Sequence, residues 1–337
     1  MGKERTMDQP LGLGVIGVGT FGRLHARVFA EAKEARLVAV ADLDEARARE
    51  VAETFDCTAY TDYREVLQRE DVQAVSVCTT DRLHLAPVVA AAQAGKHILV
   101  EKPLATSVAD CEVMIEAARS AGVKLMVGQI LRFDPRYYAA YKALREGQIG
   151  ELVHLFARRN NRLQSAERLA DKTSVLFFLG VHDVDFFNWC IGRRVVRVYA
   201  EVSQRVLADS PDTFLALIHY ADGPIASLEV SWVLPPTYPG RLDARLEMVG
   251  TQGTIFVDGS GSEVEVHRAG VNECLDTRYA PEVNGRLVGI LRDELHHFIE
   301  CIQTDRPPLV TGEEGRAAVA VICAIEESAA TGKPVLL

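Results

Sequence analysis

Gly17-Val18-Gly19-Thr20-Phe21-Gly22 is a Gly-x-Gly-x-x-Gly run that follows an apolar stretch beginning at Leu13 and opens an amphipathic one. In that setting the glycines have separate roles. Gly17 permits a tight turn, Gly19 lets a pyrophosphate reach the main chain, and Gly22 lets a helix pack close to a strand. The helix N-terminus adds partial positive charge, so Thr20 and Phe21 are cofactor-contact candidates along with the glycines. Asp42, twenty residues past Gly22, ends the next apolar stretch, where a carboxylate can accept hydrogen bonds from adenosine ribose hydroxyls. A 2′-phosphate about 4 Å away would be repelled by ~4 kcal/mol per charge pair at an effective dielectric near 20. Leu43-Asp44 supplies no adjacent arginine to offset this. NAD is therefore the expected cofactor, and only Arg47 and Arg49, further along, keep NADP open as the lesser alternative.

Glu101-Lys102-Pro103 ends the apolar stretch at 98–100. Ligands of open α/β sheets bind outside the carboxyl ends of the strands, so Lys102 is placed where a nicotinamide and a substrate would meet. Its ammonium can hold and polarise a hydroxyl or carbonyl oxygen, with Glu101 keeping it charged and oriented. Taken alone, a lysine before a proline is an ordinary bend residue.

The elements that must position these groups alternate through the first third. Apolar strands are expected at 13–18, 37–41, 74–78, 98–100 and 125–127, with helices around 22–32, 44–54, 63–69, 84–94 and 107–121. This is the pattern of a doubly wound parallel sheet, an α/β Rossmann domain over residues 1–128. Past residue 150, long alternating strands at 152–158, 195–202, 214–220, 225–232 and 246–249 imply a second, α+β domain over 129–337 with a large, mostly antiparallel open sheet. One helix, 175–191, interrupts it, and two more, near 286–304 and 312–331, close the chain.

The 337 residues suit two domains. Forty-seven acidic against 37 basic residues, net −10, disfavour nucleic acid and anionic bilayers as partners. No apolar run reaches the roughly 18 residues of a membrane span, and residues 1–10 read as a frayed leader. Seven cysteines without a CxxC pair argue against a disulfide framework and for a reduced, cytoplasmic setting. His296 with Glu300 and His297 with Cys301 are one-turn pairs lacking a third ligand, so no metal is expected.

The combination of VIGVGTFGRLHAR, VAVADLD, AAQAGKHILVEKPLA, GQILRFDPRY, GQIGELV and GVHDVDFFNWCIG with the closing SAATGKPVLL resembles the Gfo/Idh/MocA oxidoreductases over nearly the whole chain. The resemblance implies a tightly held nicotinamide dinucleotide, redox chemistry at a secondary alcohol or carbonyl of a sugar, cyclitol or related small molecule, and a homodimer or homotetramer formed through the C-terminal sheet. Carried across, Lys102 is the active-site lysine and His182 the acid/base. Thr79 and His84, with Leu43, Thr80 and Glu101, line the cofactor. An imidazole suits the acid/base role, since its pKa lies closest to neutrality. His182 is expected to be buried on its apolar helix.

Many relatives carry Asp or Asn four residues before this histidine, where Phe178 stands here. Asp185, three residues after His182, shares its helical face and is the expected supporting carboxylate, whereas Asp183 points about 100° away. Arg132, Arg136, Arg158, Arg159, Arg162 and Arg168, with Asn160 and Asn161, form a polar group. Arg132, Arg159, Asn160 and Asp185 are the substrate-contact candidates, because guanidinium forks suit carboxylate or phosphate. Salt bridges within the protein are the competing reading. Phe178 also leaves open an NAD-binding regulator without catalysis, and a third reading is a glycosidase or epimerase that uses NAD without net redox change.

Overall fold

The computed structural model describes residues 10–238, 240, 242–259, 264–268 and 271–337, so all of the leader but Pro10 lies outside the described residues. The chain divides into two compact units, one comprising Met1–Ala105, Ala109–Gly128 and Arg278–Gly315, the other Thr106–Val108, Gln129–Thr277 and Arg316–Leu337.

The first unit begins with β1 (Leu11–Ile16), α1 (Thr20–Glu31), β2 (Ala35–Ala41), α2 (Glu45–Phe55), β3 (Thr58–Tyr60) and α3 (Tyr63–Gln68). It continues with β4 (Ala74–Val77), α4 (Leu85–Gln93), β5 (His97–Glu101), α5 (Val108–Ala121) and β6 (Leu125–Gly128). The strands pair in the order β3-β2-β1-β4-β5-β6, every pair parallel. Every residue of β1 and β4 is buried, the consequence of helices covering both faces of a parallel sheet, and the reason these strands read as unbroken apolar runs. The short, half-exposed β3 lacks such a run and is absent from the expected strands.

The second unit contains α6 (Pro135–Arg145), β7 (Leu152–Arg162), α7 (Leu163–Leu169), a wide π turn at Leu176–Gly180 and α8 (Val181–Ile191). Strands β8 (Val195–Ser203), β9 (Thr213–Tyr220), β10 (Ile225–Leu234), β11 (Leu242–Gly250) and β12 (Thr254–Asp258) follow, then the hairpin β13 (Glu265–Arg268) and β14 (Val271–Cys274). The chain returns to the first unit with β15 (Glu282–Val283), β16 (Arg286–Leu287) and α9 (Ile290–Gln303), and ends with α10 (Gly312–Thr331) and β17 (Val335–Leu336).

The large sheet runs β12-β11-β7-β10-β9-β8-β17, antiparallel except for the β7/β10 pair. Strand alternation sorts its faces. Ala226, Leu228, Val230 and Trp232 of β10 are buried with Phe214, Ala216 and Ile218 of β9. On the opposite face the register sets Phe256, Glu247, Phe156, Ser227, Leu217 and Tyr199 in one row across five neighbouring pairings. Phe256, Leu215, Leu217 and Ile225 on that face are exposed.

Candidate functional site

In the first unit the glycine loop joins β1 to α1. Gly17 has φ +84°, a conformation that favours glycine, and a Cβ on Gly22 would stand 1.8 Å from the Gly17 carbonyl oxygen. Gly19 caps α1 without a side-chain hydrogen bond, so no side chain competes for the first-turn N–H groups. A Cβ at Gly19 would meet nothing within 4 Å, so the loop is open where a pyrophosphate would lie. Phe21, beside it, is 40% exposed and meets Tyr279 edge to face, with ring centroids 6.2 Å apart.

Asp42 follows β2 with its carboxylate turned back to this loop. Its Oδ2 accepts the Val18 N–H at 2.8 Å and its Oδ1 accepts the Asp44 N–H at 3.0 Å. Arg47 also reaches Oδ1, at 3.1 Å. No arginine adjoins Asp42 in sequence, but one turn of α2 supplies one in space. Arg47 also pairs with Asp44 and is half exposed, so its charge is shared and screened rather than directed at a ribose phosphate. Leu43, 89% exposed, stands beside Asp42. These residues fit a dinucleotide: an uncapped helix N-terminus behind glycines that leave room for phosphate, and a fixed carboxylate at the end of the second strand.

β1, β4 and β5 are parallel neighbours, so their carboxyl ends lie along one edge. That edge carries the glycine loop, then Cys78-Thr79-Thr80, then Glu101-Lys102. The Thr79 hydroxyl is buried and has no hydrogen-bond partner among the described residues, whereas Thr80 is exposed. His84 is buried, with Nδ1 2.8 Å from Pro103 O and Nε2 3.1 Å from Thr79 O. Both ring nitrogens are thus engaged with main chain, and His84 ties the segment after β4 to the segment after Lys102. Lys102 is partly buried, and its main-chain N–H donates to its neighbour Glu101 Oε2 at 3.2 Å. Glu101 is in turn engaged at 3.0 Å by His25, which is not among the site residues expected from the sequence; its signal is a polar side chain at a buried position of the α1 stripe.

In the second unit the expected single helix 175–191 is interrupted. The π turn at Leu176–Gly180 precedes α8, so the four-residue spacing between Phe178 and His182 is not one regular α turn. The Phe178 ring lies 6.4 Å from that of Trp232, in the apolar layer against the sheet. His182 is partly buried, less than its apolar neighbours suggest, because the flanking Val181, Asp183, Val184 and Asp185 take the fully buried positions.

Both helix carboxylates bind arginine forks. Arg132 Nε and Nη2 donate to Asp185 Oδ2 and Oδ1 at 2.9 and 2.7 Å, with both side chains 1% exposed. Arg159 Nε and Nη2 donate to Asp183 Oδ2 and Oδ1 at 2.7 and 2.9 Å, and Nη2 also to Tyr137 Oη at 3.1 Å. Burial opposes the Arg159 charge, but Asp183 and Tyr137 outweigh it and raise its pKa. Bidentate geometry is what a buried ion pair needs to recover its desolvation cost. For Arg132 and Arg159, the substrate-contact candidates, the internal salt bridge is therefore the arrangement seen. Arg136 pairs with Asp134, and Arg158 with Asp243. Asn160 follows Arg159 and so projects from the opposite face of the sheet, where its amide donates to Glu229 at 2.8 Å. Among the described residues no group of three potential metal ligands occurs, and no helix is long and apolar enough to cross a membrane.

Residues 11–129 match an oxidoreductase family with an NAD-binding Rossmann fold, and residues 141–337 match its C-terminal α/β domain. The chain is 30% identical to a myo-inositol 2-dehydrogenase of Thermotoga maritima, over 94% of this chain and 95% of the relative. It is 27% identical to a 2,7-anhydro-N-acetylneuraminate hydratase of Mediterraneibacter gnavus, over 94% of each. A crystal structure of a probable dehydrogenase from Thermotoga maritima superposes with a TM-score of 0.83 at 28% identity, covering 97% of this chain and 98% of that one. The glycine loop, Asp42, the Glu101-Lys102-Pro103 turn and the large sheet therefore have one explanation: the chain belongs to the Gfo/Idh/MocA family of NAD-binding oxidoreductases.

Proposed function

We propose that this protein is an NAD-dependent cyclitol dehydrogenase, oxidising a ring CH–OH of an inositol or a closely related sugar to the ketone. The observation that carries the reading is the shared sheet edge of the glycine loop and Lys102, joined to the 30% identity with an inositol dehydrogenase over almost the full chain. Gly17, Gly19, Thr20, Phe21 and Gly22 hold the pyrophosphate, Asp42 and Leu43 the adenosine, and Thr79, Thr80 and His84 the nicotinamide side. NAD, when bound, supplies the hydride acceptor.

The residues of the chain handle the oxygen and its proton. The Lys102 ammonium donates to the reacting hydroxyl and stabilises negative charge as the proton leaves. His182 takes that proton; a positioned base is worth about 10² to 10⁴ in rate. Asp183 and Asp185, each gripped by an arginine, fix the turn of the helix that follows His182, so in this reading they orient the imidazole rather than bind substrate. Seven free thiols suit a reducing compartment, and we assign the protein to the cytoplasm. The exposed apolar residues on the outer sheet face suit a second copy of the chain, giving a homodimer or homotetramer.

The experiment is a panel of inositols, sugars, sugar acids and nucleotide sugars screened for NADH formation by absorbance. Net NADH with an inositol is the expected result. The hydratase relative favours one other reading, a reaction in which NAD is reduced and reoxidised within one turnover. Product without net NADH would establish that reading in place of the first.

A further inference from the structure

Helix α1 carries one polar side chain into its buried stripe. Gly22, His25, Ala26 and Phe29 fall at i, i+3, i+4 and i+7, and His25 has no exposed surface. Its Nδ1 lies 2.8 Å from Ser76 Oγ on β4, and that hydroxyl lies 3.3 Å from Cys78 Sγ. Its Nε2 lies 3.0 Å from Glu101 Oε1 at the end of β5, while Glu101 Oε2 accepts the Lys102 main-chain N–H. The ring also meets Phe29 edge to face, with centroids 6.3 Å apart, which restricts its tilt.

A fully buried imidazole against a partly buried carboxylate is costly unless each satisfies the other. Burial opposes charge on His25, yet its contacts with Cys78 and Glu101 outweigh this and raise its pKa well above the ordinary value. Burial likewise opposes charge on Glu101, but the hydrogen bond and charge of His25, with the charges of Lys102 and His84, hold it below the ordinary carboxylate range. Both shifts favour the imidazolium and carboxylate forms of the pair. The proposed reaction gives neither a step, and space-filling alone would be met as well by an apolar residue.

We propose that His25 is the positioning residue for Lys102, acting through Glu101. It fixes the carboxylate whose second oxygen holds the Lys102 N–H, and so fixes the main chain from which the Lys102 ammonium extends. His84 braces the same turn from beyond Pro103. The inference rests on the reading of Lys102 as the group that holds the substrate oxygen.

The test uses the full-length protein, reductively methylated with ¹³C-formaldehyde so that each lysine gives its own NMR signal, Lys102 being assigned by its loss in Lys102→Arg. His25→Gln keeps hydrogen-bonding capacity without charge, and Glu101→Gln does the same on the other side. The expected result is a Lys102 signal displaced in position and titration in both variants with the other lysine signals unmoved. NADH affinity should stay within about threefold while kcat falls about ten- to a hundredfold, as misplacement on the scale of 1 Å produces. If His25→Gln does not fold, His25→Asn takes its place. An unmoved Lys102 signal in the folded variants would overturn the proposal. Should the wild type turn over no hydroxyl substrate, the functional reading fails, and the NMR arm still judges the link from His25 to Lys102.

Discussion

Each unit buries charge beside a residue assigned to the chemistry, and the two use different partners. In the second unit Asp183 and Asp185, which follow His182 on its helix, are held in bidentate pairs by Arg159 and Arg132, and arginine stays protonated at any working pH. In the first unit a cation beside Glu101 is His25, whose charge is lost as the pH rises through its raised pKa. The frame around His182 is therefore insensitive to pH on its cationic side, whereas the frame under Lys102 is not.

Removing one partner in the second unit gives the largest effect. Asp183→Ala leaves Arg159 charged and buried, which should cost about 3–5 kcal/mol in urea denaturation. The double replacement Arg159→Met with Asp183→Leu should recover most of this. Equal losses in the single and double variants would mean that the pair does more than neutralise itself.

A test of the first unit follows from sterics. Gly22→Ala drives a Cβ into the Gly17 carbonyl and should cost about 3 kcal/mol or more, seen as a lowered midpoint and loss of NADH fluorescence binding. Normal binding would mean the loop has another geometry. Asp42→Ala should weaken NAD binding by about 1.5–3 kcal/mol, the worth of hydrogen bonds to a charged acceptor, by calorimetric titration. Arg47→Ala, removing an exposed pair, should change it by less than about 1 kcal/mol.

Titration separates the two frames further. The His25 pKa is raised, so its contribution is full below the ordinary 6.5 and is lost as pH rises through the folded value. Glu101 is depressed, so its contribution is full above the ordinary 4.5 and is lost as pH falls through the folded value. The pair therefore stabilises most between about 4.5 and 6.5, fading on both sides. His25→Gln should remove the alkaline decline in unfolding free energy; a decline of unchanged size would assign it to another group.

What the sequence made legible was local. The glycine run, Asp42 and the Glu101-Lys102 turn each sit at the end of an apolar strand, and neighbours in sequence are neighbours in space there. The pairings were not legible, because Arg132 and Asp185 are 53 residues apart and His25 and Glu101 are 76 apart. A charged residue in a linear string does not name its partner, so the arginines could be read as substrate ligands. His25 did leave a signal, a polar side chain in the apolar stripe of α1. The π turn left none, since no residue type in Leu176–Gly180 marks the change from i→i+4 to i→i+5 hydrogen bonds.

The proposed chemistry rests most heavily on Lys102. Stopped-flow measurement of NADH formation from an inositol substrate, comparing wild type with Lys102→Ala, tests it directly. The predicted result is a loss of about a hundredfold or more in the hydride-transfer rate, with NADH affinity within about threefold of wild type. An undiminished rate in the variant would contradict it.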